Sequence, residues 1–202
     1  MPGRLFLRRP MAEVAAHFDA AVGALAQEPA RANIAPGQPI VAFGADRVLR
    51  HMRWGMIPVG RKNARGRPVM ETIINARSET VFDKSAFEGV GRAIVPCDGW
   101  YEWTGERRRK TAWAISARSG ALLAFAAITD TWQGPGGIAV DQVATVTCAP
   151  NETVAPIHHR MGVILPSEAW AQWLAGETVP MEPAPDDLLV VAPAEGVDWE
   201  GP

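Results

Sequence analysis

Long apolar segments are missing from this sequence of 202 residues. The longest of them, residues 121–128, is far shorter than the roughly 20 residues that a helix needs to cross a bilayer. The first residues also lack the apolar core and the small-residue cleavage site of a secretory signal. We therefore expect a cytoplasmic protein with no membrane partner.

Cysteine is scarce as well, since the chain has only two, Cys97 and Cys148. Both lie in apolar, strand-like surroundings, so we expect buried free thiols rather than a disulfide. The sequence contains no Cys-x-x-Cys and no His-Glu-x-x-His spacing. It therefore gives no reason to expect a metal or another cofactor.

The overall composition is that of a globular protein. Hydrophobic residues make up 48% and charged residues 21% of the chain, close to the averages for folded domains, and the length suits one domain. We expect that domain to span residues 1–175. A C-terminal segment, residues 176–202, is expected to follow it and to end in a loose tail.

Charge is distributed unevenly, although the net charge is only −2. Residues 1–110 carry 18 Lys and Arg against 11 Asp and Glu, whereas residues 111–202 carry two against 11. Within the basic half, residues 58–70 are predicted to form a long basic loop. A basic region favours phosphate binding. A solvated surface with an acidic tail explains the same pattern, and charge alone favours this second interpretation.

Short strands dominate the predicted secondary structure. Apolar periodicity predicts a helix over residues 11–27, and a second, short helix is predicted to begin at Ser167. Strands are predicted at residues 40–43, 47–54, 92–96, 100–103, 111–116, 121–128, 142–148 and 162–165. This pattern predicts an α+β domain with a mainly antiparallel sheet or partial barrel of short strands and a few peripheral helices.

Five polar residues stand inside apolar or turn-forming contexts: Asn33, Asn75, Arg77, Glu102 and His158. Each has an ordinary structural explanation. Asparagines cap turns, a glutamate can face solvent from a strand, and a lone histidine is more often structural than catalytic. Taken singly, these residues support only an α+β domain with a candidate hydrolytic or lyase site.

Five motifs taken in order change this interpretation, because together they resemble the SOS response-associated peptidase (SRAP) family. The motifs are RANIAPG at 31–37, WGMIP at 54–58, INARSET at 74–80, RAIVPCDGWYEW at 92–103 and IHHRM at 157–161. The resemblance runs from about residue 3 to residue 174. Each motif is weak alone, but their shared order and spacing make a chance resemblance very improbable.

The resemblance implies a protein that processes abasic sites in single-stranded DNA. Members of the family usually begin Met-Cys-Gly-Arg. After the methionine is removed, the N-terminal cysteine attacks the aldehyde of the ring-opened sugar. Its amine forms a Schiff base and its thiol closes a thiazolidine, which leaves a stable DNA–protein crosslink. The implied partner is single-stranded DNA with abasic sites, bound by a monomer in the cytoplasm at the nucleoid.

The resemblance also assigns catalytic roles. Asn75 matches the asparagine that holds the sugar, and Glu102 matches the carboxylate that handles protons in ring opening and crosslink reversal. His158 matches the histidine that acts as general acid and base at the sugar oxygen, whereas His159 falls at a variable position. This pair suits the chemistry, because ring opening needs one proton delivered and one removed near neutral pH.

The DNA-binding positions carry over in the same way. Arg77 and Arg4 match phosphate-binding arginines, and Asn33, in the first motif, is placed with the DNA-binding residues. Pro36 and Trp54 match positions that pack against unstacked bases or prop the strand open. Stacking on aromatic rings binds single strands with little sequence preference.

The main departure from the family is Pro2, which stands where the family has its N-terminal cysteine. Without a thiol at this position a thiazolidine cannot form, and Pro2 becomes the candidate reacting residue. Gly162 also replaces the proline that usually follows Arg-Met, and the loop after Pro58 lacks the usual tryptophan. The family's final Val-Asn segment has no match either.

Three hypotheses follow from Pro2. The first is a lyase. Methionine before proline is usually removed, which exposes a secondary amine. This amine would form an iminium ion with the abasic aldehyde and favour β-elimination, so the protein would cut abasic DNA. The alternative is a catalytically inactive relative that binds single-stranded DNA through Arg4, Arg77 and the basic loop. A degenerate relic kept for another partner is the third. The intact Glu102 and His158 count against this last hypothesis.

Overall fold

The computed structural model describes residues 2–58, 65, 72–106 and 109–201. These residues form two α-helices, α1 (Met11–Phe18) and α2 (Trp170–Leu174). They also form twelve strands: β1 (Leu5–Leu7), β2 (Arg31–Ile34), β3 (Pro39–Ala42), β4 (Arg50–Trp54), β5 (Asn75–Arg77), β6 (Gly91–Cys97), β7 (Gly99–Thr104), β8 (Thr111–Ala117), β9 (Leu123–Gln133), β10 (Ala139–Cys148), β11 (Met161–Gly162) and β12 (Leu189–Pro193).

The strands make two open sheets, which confirms the predicted α+β class. The first sheet has the order β12-β8-β7-β1-β2, and all its neighbouring strands are antiparallel. The second has the order β3-β4-β10-β9-β6, and β5 and β11 also pair with β10. β4 and β5 run parallel to β10, whereas β9 and β11 run antiparallel to it.

The core lies at the centre of the second sheet. β9 reads as a continuous apolar run from residue 123 to residue 128, and all six of these side chains are buried. A strand that is covered on both faces has no need for alternating polar residues. This burial explains why the longest apolar run of the sequence is a strand and not a helix. Cys97 and Cys148 are buried free thiols, as predicted.

The predicted helix over residues 11–27 is wrong in extent, because α1 ends at Phe18. Asp19, the residue that ends it, has a left-handed backbone with φ 49°. The chain then turns so that Ala21 forms a bridge with Val48, and a 3-10 turn follows at Gly23–Leu25. The strands β1, β2 and β5 were not predicted, since each has only three or four residues.

The loose tail expected at the C-terminus is also wrong for the described residues. β12 pairs with β8 over five residues and forms one edge of the first sheet. Beyond it, the Trp199 ring packs edge-on against Tyr101 and Trp103, with ring centroids 5.0 and 5.3 Å apart. Aromatic packing and backbone pairing therefore dock this segment on the first sheet.

Two further expectations concern membrane-spanning helices and the basic loop. No described helix is long and apolar enough to cross a membrane. The basic loop predicted at 58–70 lies outside the described residues except at Pro58 and Arg65.

Burial in β9 leads to a prediction about stability. Ile128 is completely buried, whereas Ile138 is 58% exposed. Replacing Ile128 by Ala leaves a cavity in the core and should lower the free energy of unfolding by about 2–5 kcal/mol. The same change at Ile138 should lower it by less than about 0.5 kcal/mol. Urea denaturation of both variants measures the two values, and equal losses would contradict the placement of β9 in the core.

Candidate functional site

The N-terminal residues enter the protein along the edge of β7. β1 pairs antiparallel with β7 so that Leu5 lies opposite Trp100, and the amide of Tyr101 donates a hydrogen bond to the carbonyl of Arg4 (2.9 Å). Continuing this register toward the N-terminus puts Gly3 opposite Glu102. The pairing of two strands thus brings the start of the chain to a buried carboxylate.

Pro2 is held from the other sheet. It is buried, and its carbonyl oxygen accepts a hydrogen bond from the side-chain amide of Asn75, Nδ2, at 3.0 Å. Asn75 begins β5, which pairs with β10. In this structure Asn75 therefore orients the N-terminal residue, in addition to the role of holding a sugar that the resemblance assigns to it.

Glu102 is only 4% exposed on β7. Burial raises the pKa of its carboxyl to about 7, and the positive N-terminal amino group acts in the opposite direction. A carboxyl group with a pKa near neutrality exchanges protons readily under physiological conditions. This is the property that acid–base catalysis at Glu102 requires.

His158 lies in the turn that precedes β11. Burial and the positive N-terminal amino group lower the pKa of its imidazole. The backbone amide of Arg160 donates a hydrogen bond to Nδ1 (3.0 Å), so the neutral ring carries its proton on Nε2. The carbonyl of Arg160, 3.1 Å from the same nitrogen, is an acceptor for Nδ1–H when the ring is protonated. The turn thus accommodates both charge states of the ring.

One charge connects Glu102 and His158. The positive amino group at the start of the chain acts to lower the pKa of both side chains. Direct contacts among the described residues join Asn75 to Pro2, and the β1–β7 register puts Gly3 opposite Glu102. The N-terminal segment therefore meets Asn75 and Glu102, whereas His158 is linked to it through this charge.

The turn that carries His158 is clamped by an ion pair. The guanidinium of Arg160 binds both carboxylate oxygens of Glu79 and also donates to the carbonyl of Thr147 on β10. Arg160 holds the pKa of Glu79 at about 2, well below its usual range. Both residues belong to motifs of the sequence, but nothing in the local sequence pattern indicates that they form an ion pair with each other.

Gly162, which stands where the family usually has proline, follows the same turn in β11. A Cβ atom at this position would lie 2.9 Å from Cζ of Phe125, closer than real Cβ contacts occur. Because the Phe125 ring fills this space, the chain has no room for a larger residue. The departure from the family is thus explained by packing in the core.

A cleft of about 600 Å³ opens beside Asn75. Its lining includes Arg77 and Lys84, whose cationic side chains suit a phosphate group. Arg77 is exposed at the end of β5, as a phosphate-binding residue must be. Pro36 is also exposed, in the turn between β2 and β3.

Two other predicted DNA-binding residues are engaged within the protein. Arg4 donates to the side-chain oxygen of Asn33 (2.7 Å) and to the carbonyl of Trp199 (3.3 Å). Asn33 is 2% exposed, and its amide nitrogen donates to the carbonyls of Asp198 and Gly201. In this conformation both residues anchor the C-terminal segment.

Trp54 does not fit the base-packing role predicted for it. Its side chain is completely buried, and its indole nitrogen donates to the carbonyl of Ile74 (3.1 Å). No face of the ring is available to a nucleobase. Trp103, directly after Glu102 on β7, is half-buried, and its ring packs against Trp199 on the opposite face of the strand from Glu102. Met52, Trp54 and Met56 stand at every second position and are all buried. This alternation of apolar residues in the sequence predicts that the Trp54 ring faces inward.

The described residues contain no cluster of three His, Cys, Asp or Glu side chains that could hold a metal ion. The arrangement that they do contain is an N-terminal segment next to an amide and a proton-exchanging carboxyl, with an imidazole that responds to the charge of the same terminus. Chemically, this suits reactions of an amine with a carbonyl compound, because addition and loss of water both require proton transfer.

Comparison with known proteins gives a consistent result. A family model described as SOS response associated peptidase (SRAP) matches residues 1–200. Abasic site processing protein YoaM of Bacillus subtilis is 34% identical over 176 residues, which cover 83% of this chain and 74% of that protein. Abasic site processing protein HMCES of Gallus gallus is 31% identical over 77% of this chain, but the match spans only 53% of that protein.

Solved structures share the fold at lower identity. A crystal structure of a protein from Bacteroides thetaiotaomicron is 20% identical with a TM-score of 0.84, and the match covers 96% of this chain and 92% of that one. A crystal structure of a protein from Bordetella bronchiseptica is 24% identical with a TM-score of 0.77, covering 96% of this chain and 100% of that one.

The raised pKa of Glu102 predicts a pH-dependent stability. Between its ordinary value of 4.5 and about 7, the folded protein retains a proton that the unfolded chain loses, so Glu102 lowers the stability as pH rises through this range. Glu102→Gln removes this titration. The free energy of unfolding of the variant, relative to the unmodified protein, should therefore rise between pH 5 and pH 8 by up to roughly 3 kcal/mol. Urea denaturation at both pH values measures it, and a difference that stays constant would contradict the raised pKa.

Proposed function

The chain belongs to the SOS response associated peptidase (SRAP) family, and we propose that it recognises and processes abasic sites in single-stranded DNA. The observation that carries this proposal is Pro2, held by Asn75 next to the strand that carries Glu102, while the amino group at the start of the chain acts on the pKa of both Glu102 and His158. All of these groups come from one chain, which suits action as a monomer at the nucleoid.

The proposed chemistry begins with Pro2 as an amine, once Met1 has been removed. The secondary amine adds to C1′ of the ring-opened sugar, and loss of water gives an iminium ion. This ion keeps its positive charge because its nitrogen has no proton to lose. His158 serves as general acid and base at the sugar oxygen, and Glu102 exchanges the protons of addition and dehydration.

The iminium ion favours strand cleavage. It acidifies the C2′ proton, and when a base removes this proton the electron pair forms a C2′–C3′ double bond while the C3′–O bond breaks. The 3′ phosphate leaves, and water then hydrolyses the iminium to free Pro2. The carboxylate form of Glu102, available around its pKa of about 7, suits the role of the base.

The DNA strand is proposed to run past the cleft beside Asn75. Arg77 and Lys84 line this cleft and supply two positive charges for successive phosphates. Because phosphate contacts position a strand without reading its sequence, they suit lesions that occur in any sequence context.

The alternative function is binding of single-stranded DNA without chemistry. The exposure of Arg77 beside the cleft favours it, because phosphate binding there needs no reacting amine. The two functions differ in whether a covalent bond forms between the protein and the DNA.

A trapping experiment decides between them. The protein is incubated with a single-stranded abasic oligonucleotide and borohydride, and its intact mass is measured before and after. The lyase hypothesis predicts loss of the mass of Met1 and a reduced DNA adduct, with cleaved DNA when borohydride is omitted. Glu102→Gln should slow adduct formation by about 10²-fold or more, because it removes the proton-exchanging group.

Retained Met1, or a free Pro2 that gives neither adduct nor cleavage, would exclude lyase chemistry and leave the binding function. Failure to bind the oligonucleotide at all would exclude both. An intact single strand without an abasic site is the control for the substrate, since it has no aldehyde and should give no adduct.

Phosphate binding at the cleft predicts a change in salt dependence. Arg77→Ala should weaken binding of single-stranded DNA and reduce the slope of log K against log salt concentration by about 0.7. Arg50→Ala is the control, because Arg50 pairs with Asp46 at the far end of β4. Fluorescence anisotropy across a salt series measures both slopes. An unchanged slope for Arg77→Ala would remove this residue from the DNA path.

A further inference from the structure

We propose that Thr145 is a positioning residue for the N-terminal amine: its hydroxyl fixes the orientation of the Asn75 amide, and the amide in turn fixes Pro2. This inference rests on the proposed function, since it concerns the residue that would react. No motif of the sequence includes Thr145, and it acts only through Asn75.

Strand register places the two side chains together. β5 and β10 run parallel, and Asn75 is the direct partner of Thr145. Thr145 is completely buried, so water does not compete for its hydroxyl. The hydroxyl oxygen lies 2.5 Å from Oδ1 of Asn75, and the nearest other acceptor is the carbonyl of Ile74 at 3.4 Å.

The hydroxyl stabilises the one amide orientation that the Pro2 carbonyl, which can only accept, allows. An asparagine side chain presents an acceptor oxygen and a donor nitrogen that exchange places when the group rotates by half a turn. Donation from Thr145 to Oδ1 leaves Nδ2 directed at the carbonyl of Pro2, 3.0 Å away. The opposite orientation would put Oδ1 of Asn75 against the Pro2 carbonyl, where two acceptors repel each other.

The consequence is a chain of two hydrogen bonds that sets the position of the N-terminal residue. The carbonyl carbon and the nitrogen of Pro2 are attached to the same Cα atom, so a fixed carbonyl restricts where the amine points. Misplacement of a reacting group by about 1 Å is enough to slow a reaction by about 10²-fold. Phosphate contacts at Arg77 do not depend on this chain of hydrogen bonds, so affinity for single-stranded DNA without an abasic site should be unaffected.

The test compares Thr145→Val with Thr145→Ser. Valine has nearly the shape of threonine but no hydroxyl, whereas serine keeps the hydroxyl. We expect Thr145→Val to slow formation of the borohydride-trapped adduct by about 10-fold or more, with affinity for single-stranded DNA without an abasic site within about twofold of the unmodified protein. Thr145→Ser should restore most of the rate. Thr129→Val is the control, because it removes another hydrogen-bonded threonine hydroxyl of the same sheet, half-buried and bonded to Gln142, and should leave the rate unchanged.

A second measurement needs no DNA chemistry. In NMR spectra of the free protein, the side-chain amide protons of Asn75, assigned with an Asn75→Asp variant, should exchange slowly with water in the unmodified protein and in Thr145→Ser. They should exchange faster in Thr145→Val. Thermal unfolding of each variant shows whether it is folded.

The two measurements separate the two proposals. An unmodified protein that forms no adduct contradicts the lyase chemistry, and the amide exchange then still decides whether Thr145 positions Asn75. Unchanged amide exchange in a folded Thr145→Val overturns the positioning role. A Thr145→Val variant that forms the adduct at the normal rate overturns it as well, as does a Thr145→Ser variant that is as slow as Thr145→Val.

Discussion

The pairing of β1 with β7 is the constraint on which the site depends. It carries the first residues of the chain along β7 toward Glu102, which lies two residues beyond Trp100, the partner of Leu5. Burial raises the pKa of the Glu102 carboxyl to about 7. A buried carboxylate is costly unless a cation or a proton accompanies it. The positive amino group at the start of the chain offsets only part of this cost, because burial still leaves the pKa of Glu102 near 7.

β10 organises the other half of the site. Its C-terminal half lies between β5, which begins with Asn75, and β11, which follows the turn of His158. Thr145 and Thr147, two residues apart on this strand, each contact one neighbour: the Thr145 hydroxyl donates to Asn75, and the backbone carbonyl of Thr147 accepts a hydrogen bond from Arg160. One central strand thus contacts both Asn75 and the turn that carries His158.

The C-terminal segment changes the interpretation of the first motif. Asn33 and Arg4 were expected on the DNA path, but the backbone of residues 198–201 accepts their hydrogen bonds. Arg77, by contrast, is exposed beside a cleft, where a phosphate could reach it. The motifs therefore selected candidate residues, whereas contacts distant in sequence determined what each of them touches.

By itself, the sequence determined the class of the fold, most of the longer strands, the buried thiols and the order of the motifs, because these features depend on local periodicity and residue type. The short strands β1, β2 and β5 were not predicted from the sequence, since three or four residues carry little periodic signal. Only the tertiary structure decided that Trp54 is enclosed, that the C-terminal segment is docked and that Pro2 meets Asn75. Those contacts join residues up to 195 positions apart, and burial and pKa arise from all the groups that surround a side chain.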